Sequence, residues 1–129
     1  MKTLSIGDLK ARIPIIQGGM GVGISLSGLA SAVAKEGGIG VISAAGLGLL
    51  YRKLSSNYTE AGNLGLKEEI RKAREKAKGI IGVNIMVALS DFAELVKTSI
   101  ADLVDFFFSG AVLPLDLPSF LKKYIFSIL

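Results

Sequence analysis

The chain has 129 residues, of which half are apolar and a fifth are charged, and its mean hydropathy is +0.55. This length fits one domain, and this composition excludes disorder, which requires low hydrophobicity and high net charge. Because Cys is absent, a disulfide scaffold, a zinc-thiolate site and a Cys nucleophile are excluded. Because His is absent as well, we predict no catalytic residue and no metal site within the chain.

Most of the net charge of +4 lies in one segment, residues 67–78, which carries six Lys or Arg against three Glu. Apolar residues mark the other side of the same segment, so the pattern favours a solvated helix face. No aromatic residue interleaves the basic residues, as a stacking surface for nucleic acid would require. We therefore expect no nucleic-acid partner.

The longest uncharged stretch, residues 13–34, does not predict a membrane span. Gly18 and Gly19 interrupt it, whereas a spanning helix needs about 20 predominantly apolar residues. The N-terminal segment between Lys2 and Arg12 lacks the apolar core of a secretory signal. We therefore expect no membrane partner and a cytoplasmic location.

Four short apolar runs recur along the chain, and each is followed by a turn and then a helical pattern. The runs, which predict buried strands, cover residues 13–17, 39–43, 80–85 and 104–109. The helical patterns cover residues 26–34, 66–78, 91–100 and 117–128, and a long irregular connection is expected through residues 55–65. Ser25 or Ser27 is expected to cap the first helix, and Gly37 fits its C-terminal end. Asp91 and Glu94 have the spacing of a capping box.

Strand, turn and helix, repeated four times, are typical of a parallel α/β sheet. Four such units correspond to the N-terminal half of a TIM (β/α)8 barrel, which takes roughly 250 residues in full. An open doubly wound sheet with helices on both faces is the alternative, and periodicity does not separate the two. In the barrel interpretation residues 1–129 form a single partial domain, with residues 117–129 as a divergent helical tail.

Neutral polar residues and Gly, with no charge, follow the predicted strands. Both architectures bind ligands at the carboxyl ends of their strands, so these residues are the candidate site. They are Gln17, Gly18, Gly19, Met20 and Gly21 after the first strand, Ser43 after the second, Asn84 in the third and Ser109 with Gly110 after the fourth. Gly permits close approach and Asn offers both a donor and an acceptor, so the rim suits a flat, uncharged ligand such as a flavin ring. A tight turn without a binding role is the alternative for Gly18 and Gly19.

The dense Gly run after the first strand does not match a dinucleotide fingerprint. Counting from Gly19 and Gly21, the position of the third Gly holds Ile24, and no acidic residue ends the second strand. No Gly-Lys-Ser or Gly-Lys-Thr sequence of a phosphate-binding P-loop occurs either. The sequence therefore gives little support to a nucleotide-phosphate site.

Several of these motifs together resemble the nitronate monooxygenases (2-nitropropane dioxygenases). They are IPIIQGGMG at residues 13–21, GGIGVIS at 37–43, GVNI at 82–85, SGA at 109–111 and LP at 113–114. The FMN-dependent enoyl-acyl carrier protein reductases share the same barrel and the same motifs. The resemblance extends from residue 13 to about residue 120, which is nearly the whole chain.

The resemblance implies a (β/α)8 barrel that binds FMN at its carboxyl face. It implies that Gly18, Gly19, Met20 and Gly21 lie along the isoalloxazine ring, that Asn84 hydrogen-bonds the flavin and that Ser109 lies near it. The implied activity is oxidation of an alkyl nitronate, a small-molecule substrate, with oxygen. Two alternatives are reduction of an enoyl thioester with a nicotinamide cofactor, and a non-catalytic flavin-binding or assembly fragment.

The chain also departs from the family. Family members are much longer, and their catalytic His and most of their FMN phosphate site lie in a half that is absent here. Residues 122–129 do not resemble the approach to a fifth strand, so we expect a truncated, inactive form. A half barrel has two open sheet edges and an exposed interior face, and both features favour self-association.

Overall fold

A three-stranded parallel sheet lies at the centre of the computed structural model, which describes residues 2–111, 115, 117–119 and 122. In chain order the elements are β1 (Leu4–Ile6), β2 (Leu9–Ala11), α1 (Ser27–Lys35), β3 (Ile39–Ser43), α2 (Leu47–Leu50), α3 (Tyr58–Lys76), β4 (Ile80–Met86), α4 (Phe92–Ala101) and β5 (Phe106–Gly110). The parallel sheet consists of β3, β4 and β5, whereas β1 and β2 form a separate antiparallel hairpin. The α/β class expected from the sequence is confirmed.

The strands of the parallel sheet lie side by side in the order of the chain, β3–β4–β5. The helices α1, α3 and α4 pack beside one another over one face of this sheet, which we call the helix side. The buried cluster on this side consists of Ala30, Ala34, Ile42, Ala44, Leu47, Leu66, Ile70, Ala73, Ala77, Ile81, Val83, Ile85, Leu95, Val96 and Ile100. A doubly wound sheet carries helices on both faces. In the described residues the helices cover a single face.

The opposite face of the sheet, which we call the hairpin side, has a smaller core. Ala11 of the hairpin packs there with Ile39 and Val41, and the aromatic rings of Phe106 and Phe108 complete the cluster. The two rings lie 6.1 Å apart, centroid to centroid. The N-terminal hairpin, which the sequence analysis did not predict, thus covers the hairpin side near the amino ends of the strands.

The segment 13–17, predicted as the first strand, pairs with β3 only briefly. Ile16 forms an isolated parallel bridge with Ile39, and the Gln17 N–H donates to the Ile39 carbonyl at 3.0 Å. Beyond Ile39, this edge of β3 is hydrogen-bonded to the Gln17 side chain instead of to a neighbouring backbone. The side-chain amide donates to the Val41 carbonyl at 2.9 Å, and its oxygen accepts from the Val41 N–H at 3.2 Å. The backbone can therefore leave the sheet after Gln17, and the predicted strand is reduced to a bridge.

Helix α3 begins at Tyr58, eight residues before the predicted start at Leu66. The Asn57 side chain caps it by accepting a hydrogen bond from the Glu60 N–H at 3.0 Å. The short helix α2 precedes it. The long irregular connection expected through residues 55–65 is therefore wrong.

Two other boundaries differ from the sequence prediction. Asp91 occupies the N-cap position of α4 but makes no capping hydrogen bond, and Glu94 instead forms an ion pair with Lys97 at 2.7 Å. Strand β5 begins at Phe106, and the Asp105 carboxylate before it accepts a hydrogen bond from the Ile81 N–H at 2.9 Å.

The ends of the predicted first and last helices are described to different extents. Gly37 follows α1 with a φ of +91°, as predicted for a residue just beyond the helix C-terminus. Neither Ser25 nor Ser27 caps α1 with its side chain, because the N-cap position belongs to Leu26. Of the predicted last helix, residues 117–119 and 122 are helical and the others lie outside the described residues.

Candidate functional site

The residues that follow segment 13–17 form a loop at the carboxyl edge of the sheet, and Asn84 of β4 contacts it. We call residues 18–24 the glycine loop. The Asn84 side-chain amide donates a hydrogen bond to the Gly19 carbonyl at 2.9 Å. A Cβ atom on Gly19 would lie 2.4 Å from the Asn84 Cβ, so this close approach requires Gly. The structure thus joins two of the predicted site residues, Gly19 and Asn84.

The other predicted residues of the loop differ in what surrounds them. A Cβ on Gly21 would lie 2.9 Å from the Ala45 Cβ, so this chain already fills that space. A Cβ on Gly18 would meet nothing within 4 Å. Met20 is 62% exposed. Val22 and Ile24 are exposed as well, so the loop presents an open, uncharged surface at Gly18, Met20, Val22 and Ile24.

Ser25, which is 1% exposed, fastens the glycine loop to the start of α1. Its hydroxyl donates to the Gly18 carbonyl at 3.0 Å and accepts from the Met20 N–H at 2.9 Å. Its backbone N–H donates to the Met20 carbonyl at 2.9 Å, and its carbonyl accepts from the Ser43 N–H at 2.8 Å. Backbone and side chain of one residue thus connect the loop to the carboxyl end of β3.

The N-terminus of α1 is occupied by a carboxylate from within the chain. Glu69 of α3 is 4% exposed, and its Oε2 accepts a hydrogen bond from the Ser27 N–H at 2.6 Å. A helix N-terminus after a glycine-rich loop is a common phosphate site, since its free N–H groups and its dipole attract anions. Here Glu69 supplies the anion, so this end of α1 does not present a phosphate site.

The Glu69 carboxylate is stabilised in its charged form. Burial raises the pKa of Glu69, but hydrogen bonds from Tyr51 and Ser27 and the charge of Lys72 outweigh it, so the pKa lies below the usual value. The Tyr51 hydroxyl donates to Oε1, and the Lys72 Nζ lies 3.7 Å from the same atom. Burial and the adjacent Glu69 raise the pKa of Tyr51.

Ser109 does not join Asn84 at the glycine loop. Phe107 packs on the helix side and Phe108 on the hairpin side, so the side chain of Ser109 alternates back to the helix side. Its register partner is Ile85, whereas Asn84 lies opposite Phe108. The Ser109 Oγ is buried and has no hydrogen-bond partner in the described part of the structure. Ser109, which the sequence placed among the candidate flavin-binding residues, therefore lies on the opposite face of the sheet from Asn84.

The register of the sheet identifies further residues beside Asn84. Ser43 and Phe108 are its cross-strand partners, one on each neighbouring strand. The three side chains form a row on the hairpin side, near the carboxyl ends of the strands. Ser43 was predicted as the end of a strand, but Phe108 was not among the predicted site residues, because only the register of β5 places it beside Asn84.

Other kinds of site are not found among residues 2–111, 115, 117–119 and 122. No group of three His, Cys, Asp or Glu side chains in this part of the chain could hold a metal ion. In the same part, no helix is long and apolar enough to cross a membrane.

Fold and site together define an α/β protein with an uncharged, glycine-rich edge at the carboxyl ends of parallel strands. A profile of the nitronate monooxygenase family matches residues 2–106. The chain therefore belongs to the nitronate monooxygenase family, which is a family of flavin oxidoreductases. No curated protein matches the chain.

Solved structures of FabK are among those similar to the chain. FabK from Thermotoga maritima has a TM-score of 0.69 and 28% sequence identity, over 86% of this chain and 31% of that chain. A methionine-to-alanine variant of the same FabK has a TM-score of 0.67 and 30% identity, over 86% of this chain and 33% of that one. The chain thus spans about a third of the length of these structures.

Proposed function

We propose that the chain supplies the first βα units of a (β/α)8 barrel and the ring-side contacts of an FMN site. Three observations support the barrel: the strands follow the order of the chain, the described helices lie on the helix side, and the fold is similar to FabK. In a barrel the hairpin side is the interior, and the glycine loop lies at the catalytic face.

The single observation that carries the flavin proposal is the contact of the glycine loop with Asn84. No charged side chain occurs in the loop, and the surface at Gly18 and Met20 is open, which fits a flat, uncharged ring. The Glu69 carboxylate at the N-terminus of α1 disfavours the phosphate at this position. The residues present therefore fit the isoalloxazine ring rather than the phosphate.

Within this site the chain's residues bind and orient. Bound FMN supplies the electron transfer on which the family's reactions depend. Asn84 uses one amide hydrogen to hold Gly19, and its second amide hydrogen and its carbonyl oxygen have the capacity to bond the ring edge. The chain contains no His, so a histidine proton donor or acceptor is not among its contributions.

For the reaction, we propose oxidation of an alkyl nitronate by oxygen, in accordance with the family match. Reduction of an enoyl thioester is the second candidate, because FabK, the similar structure, is an enoyl-acyl carrier protein reductase of the same family. The chain on its own would then be an inactive flavin-binding unit in both cases.

We also propose that two copies of the chain associate through the uncovered sheet. Ile15 and Ile16, on segment 13–17 at one edge, are 55% and 43% exposed. Exposed apolar residues at a sheet edge favour pairing with another chain. Light scattering at rising concentration is expected to show a dimer or larger species, and a monomer throughout would contradict the proposal.

The experiment that tests flavin binding is equilibration of the purified chain with FMN, followed by removal of free FMN and an absorbance spectrum. We expect retained flavin that is lost in Asn84→Ala. The control is Asn63→Ala, since Asn63 is also partly buried and hydrogen-bonded to Thr59 and Thr98, but lies in α3. No retention by the unmodified chain, or equal loss in both variants, would contradict the site.

Two further measurements resolve the alternatives. Riboflavin, which lacks the phosphate, is expected to bind within about a factor of ten of FMN, because no phosphate contact is proposed here. Flavin binding without turnover is the result expected for the chain on its own. Oxygen uptake with an alkyl nitronate, or oxidation of a nicotinamide cofactor by an enoyl thioester, would contradict the proposed inactivity and would identify the first or the second reaction, respectively.

A further inference from the structure

We infer that Ser25 is a positioning residue for the flavin-facing loop, an inference that rests on the proposed flavin site. Ser25 is not itself a proposed flavin contact, since it is 1% exposed. Its hydroxyl binds the Gly18 carbonyl and the Met20 N–H at the same time, and both residues belong to the exposed part of the loop. The shape of the ring-facing surface therefore depends on one buried hydroxyl.

The hydrogen-bond geometry explains why a hydroxyl is required at this position. Only a group that both donates and accepts can satisfy the Gly18 carbonyl and the Met20 N–H from one atom. Replacement by Ala leaves both backbone groups without this partner. The loop then keeps the Gly19–Asn84 contact and the backbone bond between Ser25 and Met20, so a local loosening is expected rather than unfolding.

Glu69 supports the same residue from the helix side. Its carboxylate fixes the Ser27 N–H at 2.6 Å, two residues beyond Ser25, and its second oxygen is bound by Tyr51. The backbone of residues 25–27 is therefore held between α3 and β3, because the Ser43 N–H donates to the Ser25 carbonyl. Glu69 thus acts on the loop through Ser25, and its removal is expected to have a smaller effect on the loop.

The test compares Ser25→Ala with Ser99→Ala in the full chain. Ser99 is also fully buried, but its hydroxyl only donates to the Leu95 carbonyl within α4. Without flavin, the Met20 amide hydrogen is expected to exchange about tenfold faster or more in Ser25→Ala, as expected for a lost hydrogen bond. The same amide is expected to be unchanged in Ser99→Ala.

Flavin provides the second readout. The dissociation constant of FMN is expected to rise about tenfold in Ser25→Ala, with altered visible circular dichroism of the bound ring, because the ring surface is no longer fixed. Ser25→Thr, which keeps the hydroxyl, is expected to restore both properties, and Glu69→Gln to show an intermediate change. Ser99→Ala should lower only the melting temperature.

The outcomes separate this inference from the proposed function. Equal Met20 exchange in Ser25→Ala and Ser99→Ala would overturn the positioning role, whether or not flavin binds. Absence of FMN binding in the unmodified chain would contradict the proposed site alone, and faster Met20 exchange in Ser25→Ala would still support Ser25 as the residue that holds the loop. Flavin affinity that is unchanged in Ser25→Ala, despite faster exchange, would show that the loop does not face the ring.

Discussion

Replacement of Gly19 and of Gly18 by Ala should have opposite consequences, although the two residues are adjacent. In Gly19→Ala the new methyl group would lie 2.4 Å from the Asn84 Cβ and 2.7 Å from its Nδ2. At such distances either the loop or the side chain must move, and the hydrogen bond between them is lost. In Gly18→Ala the methyl group meets no protein atom within 4 Å.

The magnitudes follow from these contacts. Overpacking of this kind costs about 1–3 kcal/mol, so Gly19→Ala should lower the free energy of unfolding by that amount. The melting temperature should fall by roughly 4–8 °C per kcal/mol, as in small domains. Gly18→Ala should change the free energy of unfolding by less than about 0.5 kcal/mol, as surface substitutions do.

Gly18→Ala should lower flavin binding without the loss of stability that is expected in Gly19→Ala. The methyl group of Gly18→Ala would occupy the open surface proposed for the ring, so FMN affinity should fall while stability remains. Thermal denaturation followed by circular dichroism measures the first property, and flavin fluorescence titration measures the second. A destabilised Gly18→Ala variant would contradict the open space at this position. A stable Gly18→Ala variant with unchanged FMN affinity would refute the assignment of this loop to the flavin ring.

Three further predictions concern stability. The pKa of Glu69 is lower in the folded chain than in the unfolded chain, where it is near 4.5, so the carboxylate contributes stability above pH 4.5 that is lost as the pH falls through the folded pKa. The difference in unfolding free energy between Glu69→Gln and the unmodified chain should therefore shrink below pH 4.5. A difference that stays constant with pH would contradict this prediction. Asn57→Ala removes the cap of α3 and should cost about 1 kcal/mol by urea denaturation, and no change would show that the cap is dispensable. Asp105→Ala removes the ion pair with Arg74 and the acceptor of the buried Ile81 N–H, and it should cost about 1–3 kcal/mol by urea denaturation. Glu75→Ala, which removes an exposed ion pair with Arg71, should cost less, about 0.5 kcal/mol, and equal costs would contradict the reasoning.

The sequence was sufficient to predict the two strands that consist of continuously apolar, buried residues. The runs that became β3 and β4 were located within one residue, because burial on both faces leaves an uninterrupted apolar pattern. Segment 13–17 has the same pattern, but the Gln17 side chain replaces the backbone in pairing with Val41. The pattern of apolar residues does not indicate where a side chain replaces the backbone in a strand pair.

The start of α3 was missed for a different reason. Gly62 and Gly65 lower the helix propensity of its first half, so the sequence favours a loop there. The structure shows why Gly is required: a Cβ on Gly65 would lie 2.5 Å from the Tyr51 ring. Close packing of Tyr51 and α2 against α3 thus outweighs propensity. The N-terminal hairpin had a usable signal, since Gly7 followed by Asp8 is a typical two-residue hairpin turn.

The candidate site was predictable in composition but not in orientation. Asn84 and Ser109 are both polar residues near strand ends, and no local pattern separates them. The register separates them, because Asn84 shares a row with Phe108 and Ser109 lies beside Ile85 in the opposite core. One residue along a strand reverses the face on which a side chain lies.

The glycine loop has the sequence setting of a phosphate cradle, but the structure directs its polar groups inward. The Gly18 carbonyl and the Met20 N–H bind Ser25, the Gly19 carbonyl binds Asn84, and the end of α1 holds Glu69. The exposed surface of the loop consists of Gly18 and the apolar side chains of Met20, Val22 and Ile24. Such a surface does not favour anion binding, because anions bind to free N–H groups and to the positive end of a helix dipole. It suits the face of a flat ring, for which contact area matters more than charge. The same Gly-rich pattern can therefore serve a ring rather than a phosphate, and the deciding residues, Ser25 and Glu69, lie outside the motif.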